Sequence, residues 1–160
     1  MKKVLFIAAL AVASFSVKAQ SESPIKFSVG AEAHLPIGDL GDVSSFGFGG
    51  SVQGDYNLDE SLALTLNAGY LNFSGKDGYG NSGLIPVLGG IKYTFSGNVY
   101  GSAQLGASFG TEKGSETLFT YAPGIGYKFS PNFDALLKYT GWSQKGGSFG
   151  SVGLRVAYTF

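Results

Sequence analysis

Cysteine is absent from the 160-residue chain, which removes a disulfide framework, a thiolate metal site and a cysteine nucleophile together. Charge is scarce as well: Asp, Glu, Lys and Arg make up 14% of the residues, against roughly 25% in an ordinary soluble domain. No segment repeats its apolar residues at the helical period of about 3.6, so amphipathic helices are not expected. The apolar run Val4–Val12 falls well short of the roughly 20 residues a membrane-crossing helix needs. Basic excess is lacking too. Eleven Lys and Arg face eleven Asp and Glu, leaving no electrostatic footprint for nucleic acid.

The N-terminus carries its own signature. Lys2 and Lys3 precede the apolar run, and small residues including Ala13, Ser14, Ser16 and Ala19 follow it. A charged start, a short apolar stretch and a small-residue cut predict a secretory signal peptide over 1–19, cleaved after Ala19. No cysteine follows the cut, so lipid attachment through one is excluded. Loss of the leader lysines Lys2, Lys3 and Lys18 leaves eight basic and eleven acidic residues, a net charge of about −3, in one domain over 20–160.

What the chain has in abundance is glycine, 26 residues, and aromatics, 14%, arranged in alternation. The last seven residues show it best: Leu154, Val156, Tyr158 and Phe160 fall on one face of an extended strand, and Arg155, Ala157 and Thr159 on the other. Similar endings occur at Ile91–Phe95, at Ile125–Phe129 and more loosely at Gly54–Leu58. Their tyrosines, with Tyr158, stand at 56, 93, 127 and 158, a quasi-repeat of one β-hairpin per unit. Four hairpins give eight strands: Lys26–Leu35, Phe46–Tyr56, Leu62–Asn72, Leu84–Phe95, Val99–Phe109, Leu118–Phe129, Phe133–Trp142 and Ser148–Phe160. Each is long enough to cross a hydrocarbon core as a tilted strand, for which roughly 9–11 residues suffice. Tight connections at Asn57–Ser61, Ser96–Asn98 and Ser130–Asn132 alternate with mostly longer ones.

An up-and-down barrel of eight strands is either a soluble lipocalin-like carrier or a membrane protein, and alternation alone fits both. Three features place the apolar face outside, in lipid. The polar face is mainly Gly, Ser, Thr, Asn and Gln, too poorly charged for a soluble exterior but suited to an interior just wide enough for side chains. Aromatics gather at both strand ends, with Phe27, Tyr56, Tyr93, Phe95, Tyr127, Phe129, Phe133, Tyr158 and Phe160 at the short-turn end and Phe48, Tyr70, Phe109, Phe119, Tyr121 and Tyr139 at the other. Closure, finally, leaves no sheet edge for lipid to meet. The expected fold is an all-β, eight-stranded antiparallel up-and-down transmembrane β-barrel.

On this alternation, and above all on the terminal Leu154-x-Val156-x-Tyr158-x-Phe160, the mature chain resembles the small eight-stranded outer-membrane barrels of the OmpA/OmpX type, porin-family proteins of Gram-negative bacteria. The resemblance implies an integral, monomeric outer-membrane protein among outer-membrane lipids. It also implies a C-terminal assembly signal at Leu154, Val156, Tyr158 and Phe160, read by the barrel-insertion machinery after escort by periplasmic chaperones. Unlike OmpA, the chain ends at Phe160 with no periplasmic domain expected; unlike OmpX, its loops are short. The fold hosts anchors, adhesins, narrow channels and a few enzymes, so it implies no single activity.

The polar phase carries eight charges: Lys26, Glu32, Asp55, Lys92, Lys128, Asp134, Lys138 and Arg155. By strand direction Glu32 and Lys138 belong near mid-height and the other six in the periplasmic half. Opposite charges in a narrow lumen are expected to pair, because an unpaired buried charge is costly. They form either a structural salt-bridge plug or the lining of a narrow ion path. His34, the one histidine, shares the outer end with Asp39, Asp42, Ser44 and Ser45, but no motif fixes a serine nucleophile; a hydrogen-bonded lumen histidine is expected. Gly78-x-Gly80-x-x-Gly83 matches a dinucleotide fingerprint in letters only, lacking a strand before and a helix after it. Leu71, Phe73, Leu88, Trp142 and Phe149 fall on the upper lumen phase, as a small apolar pocket or as a phase slip at the rim. The loop charges Lys76, Asp77, Glu112, Lys113, Glu116 and Lys145 are few and mixed. No catalytic residue, metal site or cofactor is expected. The function expected is structural or at the surface, with a low-conductance channel as the alternative and a soluble carrier behind both.

Overall fold

The computed structural model describes residues 24–76, 80–112, 114–144 and 146–160. The leader at 1–19 lies outside these residues, as do Asp77, Gly78, Lys113 and Lys145. Eight strands follow one another: β1 (Ile25–Ile37), β2 (Ser44–Asn57), β3 (Leu62–Gly75), β4 (Ser82–Ser96), β5 (Val99–Gly110), β6 (Thr117–Lys128), β7 (Phe133–Gln144) and β8 (Gly147–Thr159). Each pairs antiparallel with the next, and β8 returns to β1, where Glu32 faces Arg155 and Ser28 faces Thr159. The sheet is a closed barrel, so its strands have no free edge.

Period-2 alternation becomes inside and outside. Leu66, Phe129 and Leu105 are more than three-fifths exposed, whereas the residues between such positions, among them Asn67, Gln104 and Lys138, are buried. A soluble carrier would bury the apolar face instead. Large side chains in turn rest on glycines of adjacent strands, which gives much of the glycine content a packing role. On the lumen side Tyr100 covers Gly126 and His34 covers Gly153; a Cβ added to Gly30 would stand 2.8 Å from Arg155 Nε.

Two prolines interrupt the cylinder. Around Pro86 the β3–β4 ladder passes from Ala68↔Val87 to Leu71↔Leu84. Around Pro123 the β6–β7 ladder passes from Tyr121↔Gly141 to Gly124↔Lys138. Proline has no N–H to donate, and both prolines sit where pairing lapses.

The strand ends differ from the sequence expectation chiefly at the outer rim. β1 runs through Pro36 to Ile37, and the following connection holds a short helix, α1 (Asp39–Val43). Five residues are too few to show a helical period, so this turn was invisible to pattern. Gly38, at φ 59°, reverses the chain ahead of it. Lys76 then ties the helix to the end of β3, donating from Nζ to the Gly41 carbonyl at 2.6 Å. The β7–β8 connection is residues 145–146, as tight as 97–98 on the opposite side.

Candidate functional site

The lumen is the candidate site, and it is organised in layers. Outermost is an apolar layer. Trp142 is fully buried, its ring edge-on to Phe73 at 5.7 Å and stacked on Phe149 at 5.6 Å, with Leu71, Leu84, Leu118 and Leu40 of α1 around it. The indole Nε1 donates to Ser108 Oγ at 3.2 Å, so even the one polar atom of this ring is satisfied. Of the upper-lumen residues left between two readings by sequence, Leu71, Phe73, Leu88 and Trp142 point inward and are buried; only Phe149 is partly exposed. Through these residues of β3, β4 and β7 the lumen phase does not slip; on β2 it shifts at the rim, with an irregularity between Ser44 and Phe46.

Below this layer lies a charged network centred on Glu32. Its carboxylate accepts from Ser51 Oγ at 2.6 Å, meets Lys138 Nζ at 2.7 Å and stands 3.8 Å from Arg155 Nε. Arg155 donates to Ser51 and Ser28, at 2.9 and 3.1 Å. The same carboxylate takes His34 Nε2 at 3.0 Å, leaving Nδ1 to accept from the Ser151 hydroxyl at 2.9 Å. Arg155 thus belongs to the mid-height group rather than to the inner half where strand direction placed it. The stagger that sets Arg155 opposite Glu32 belongs to the β1–β8 seam, which strand counting does not give.

Ser151, His34 and Glu32 have the connectivity of a hydrolytic triad, but the setting contradicts the role. Serine and histidine are both fully buried, and Glu32 is already engaged by Lys138 and Ser51. The loop residues Asp39, Asp42, Ser44 and Ser45, which sequence placed near His34, are not its hydrogen-bond partners.

Next comes a neutral amide layer that charge-based reading missed. Gln53 accepts from Asn67 and Gln104, and Gln104 also donates to Thr65 at 3.0 Å. Gln53 passes the network on to Asp55 at 2.7 Å, and Asp55 pairs with Lys92 at 3.1 Å. Tyr100 closes this level, donating to Asp134 while Lys92 rests 4.4 Å above its ring. The inner mouth is an open vestibule of about 620 Å³ into which Lys26, Lys92 and Lys128 project. Lys128 reaches Thr94 Oγ1 at 3.4 Å. Among the described residues neither Lys26 nor Lys128 has a carboxylate within ion-pair distance, so six of the eight sequence-selected charges join the Glu32, Asp55 and Asp134 groups, and these two stand apart from them.

A closed barrel of eight strands, apolar outside and hydrogen-bonded across a polar interior, is the architecture of a membrane-spanning β-barrel. The chain belongs to the outer membrane protein beta-barrel domain family, which matches residues 7–160. It is an integral barrel of the outer membrane. No curated protein matches it. Solved structures that share the fold include Ail, the attachment invasion locus protein of Yersinia pestis, at 18% identity and TM-score 0.64, over 85% of this chain and 97% of that one. The N-terminal β-barrel domain of Pseudomonas aeruginosa OprF is similar at 16% identity and TM-score 0.63, over 84% and 97%. A de novo designed transmembrane β-barrel is similar at 17% identity and TM-score 0.57, over 88% and 100%. Natural and designed barrels at one level of likeness make this a likeness of fold.

Proposed function

We propose that this protein is a monomeric, non-enzymatic barrel with a structural or surface role in the envelope, its lumen serving as a packed core rather than a passage. The observation that carries this reading is the apolar layer around the fully buried Trp142, stacked directly above the Glu32 network. An ion would have to pass a dry constriction and then displace partners from a satisfied charge cluster. The vestibule and amide layer favour the second reading, a narrow low-conductance channel, because together they would form its inner half. Planar-bilayer recording of the refolded barrel separates the two. Silent insertion, verified by protease protection, is expected. Discrete current steps that shift in Arg155→Gln or Lys138→Gln would make the lumen a pathway.

We further propose export by the 1–19 leader and assembly through Leu154, Val156, Tyr158 and Phe160, engaged by the insertion machinery after periplasmic chaperones. Support comes from the exposed apolar face these four residues share, with the rings of Tyr158 and Phe160 edge-to-face at 5.2 Å. Outer-membrane fractions are expected to contain a chain starting at Gln20, and Phe160→Ala to lower its amount several-fold. Unchanged assembly of that variant would refute the signal. Ail has been crystallised with the heparin analogue sucrose octasulfate. A matching surface is not favoured here, because the described outer connections carry Asp39, Asp42, Glu112 and Glu116 against Lys76.

A further inference from the structure

Above the apolar layer the outer mouth forms a blind cup of about 450 Å³, within the range of roughly 300–1,000 Å³ typical of small-molecule sites. Leu40, Phe73, Leu84, Leu118 and Phe149 supply its apolar lining. Among the described residues the only charged ones lining it are Glu112 and Glu116, both exposed, and neither pairs with a described cation. We propose that this cup binds a small amphiphilic cation, an amine whose apolar part enters the cup while its ammonium group meets Glu112 and Glu116 at the rim.

The pairing follows from what each part of the cup can satisfy. Water held against Leu84, Leu118 and Phe73 gains few hydrogen bonds from the wall, so an apolar group displaces it favourably. A ligand anion would meet two carboxylates at the exit, whereas an ammonium group offsets them. This site lies beyond the packed lumen and holds whether or not the barrel conducts.

Trp142 is the single tryptophan of the chain, and it stacks at 5.6 Å on Phe149, whose ring lines the cup. Its fluorescence therefore reads occupancy directly. The barrel in nanodiscs of neutral phosphatidylcholine would be titrated with 4-phenylbutylammonium, 4-phenylbutanol and 4-phenylbutanoate, which share ring and chain and differ in charge. Saturable binding is expected for the ammonium, about tenfold tighter than for the carboxylate at low ionic strength, with the gap narrowing as salt is added. Substituting both E112Q and E116Q should abolish that gap and leave the alcohol unaffected; both residues are exposed, so the fold is retained. Leu118→Phe, which fills the cup, should weaken all three. A response that rises linearly without saturating reports partition into the bilayer and overturns the proposal. So does tighter binding of the carboxylate.

Discussion

Glu32→Ala is expected to destabilise the barrel by about 3–5 kcal/mol, the usual consequence of removing one member of a buried ion pair while leaving its partners in place. The magnitude follows from how many groups depend on this carboxylate. Lys138, Arg155, His34 and Ser51 all address it, and each is nine-tenths or more buried. Without it two cations face each other in a narrow lumen, and only serine hydroxyls remain to Arg155. Urea unfolding of the barrel in lipid vesicles measures the loss. The double variant Glu32→Leu with Lys138→Met should recover part of it, because it removes one of the two orphaned charges and leaves only Arg155. Lys26→Ala, at the open inner mouth, should change stability by less than about 0.5 kcal/mol. A loss below about 1 kcal/mol for Glu32→Ala would show that the network contributes little to stability.

Trp142→Ala should cost a similar amount, about 3–5 kcal/mol, by a different route. The indole fills the layer between Phe73 and Phe149, and alanine there keeps neither ring contact. Trp142→Phe separates packing from polarity. It should retain most of the stability and lose about 1 kcal/mol for the Ser108 hydrogen bond. Circular dichroism and heat-dependent gel mobility are the readouts, since the variants have no tryptophan to follow. If the alanine variant unfolds like the parent, the outer layer is loosely packed and the barrier assigned to it is absent.

Sequence made the barrel legible because a half-buried strand states its faces every second residue. From Phe27 to Phe160 the aromatic positions named for the lipid side lie on that side and are exposed, Tyr139 alone among them being half-buried. The lumen was legible only as a set of side chains, not as contacts. His34 and Ser151 are 117 positions apart, and their meeting depends on register across the β1–β8 seam, which no local pattern encodes. The amide layer of Gln53, Asn67 and Gln104 escaped notice because neutral polar residues carry no sign by which to pair them. Helix α1 escaped because one turn has no periodicity. Residues 71, 73 and 142 were placed on the correct side of their strands, yet their packing into one cluster depends on barrel curvature that alternation does not record.

The seam between β1 and β8 also fixes an order of events. Residues 28–37 hydrogen-bond to residues 150–159, so the first strand to be translocated must wait for the last. Until then its donors and acceptors have nothing to bond on that side except water, and hydrocarbon offers them nothing. The nascent chain must therefore remain in an aqueous or sheltered setting for its entire length. Entry into bare hydrocarbon one strand at a time would leave that edge unpaired. Loss of even the final strand would leave β1 and β7 as raw edges, ready to pair with a neighbouring chain instead.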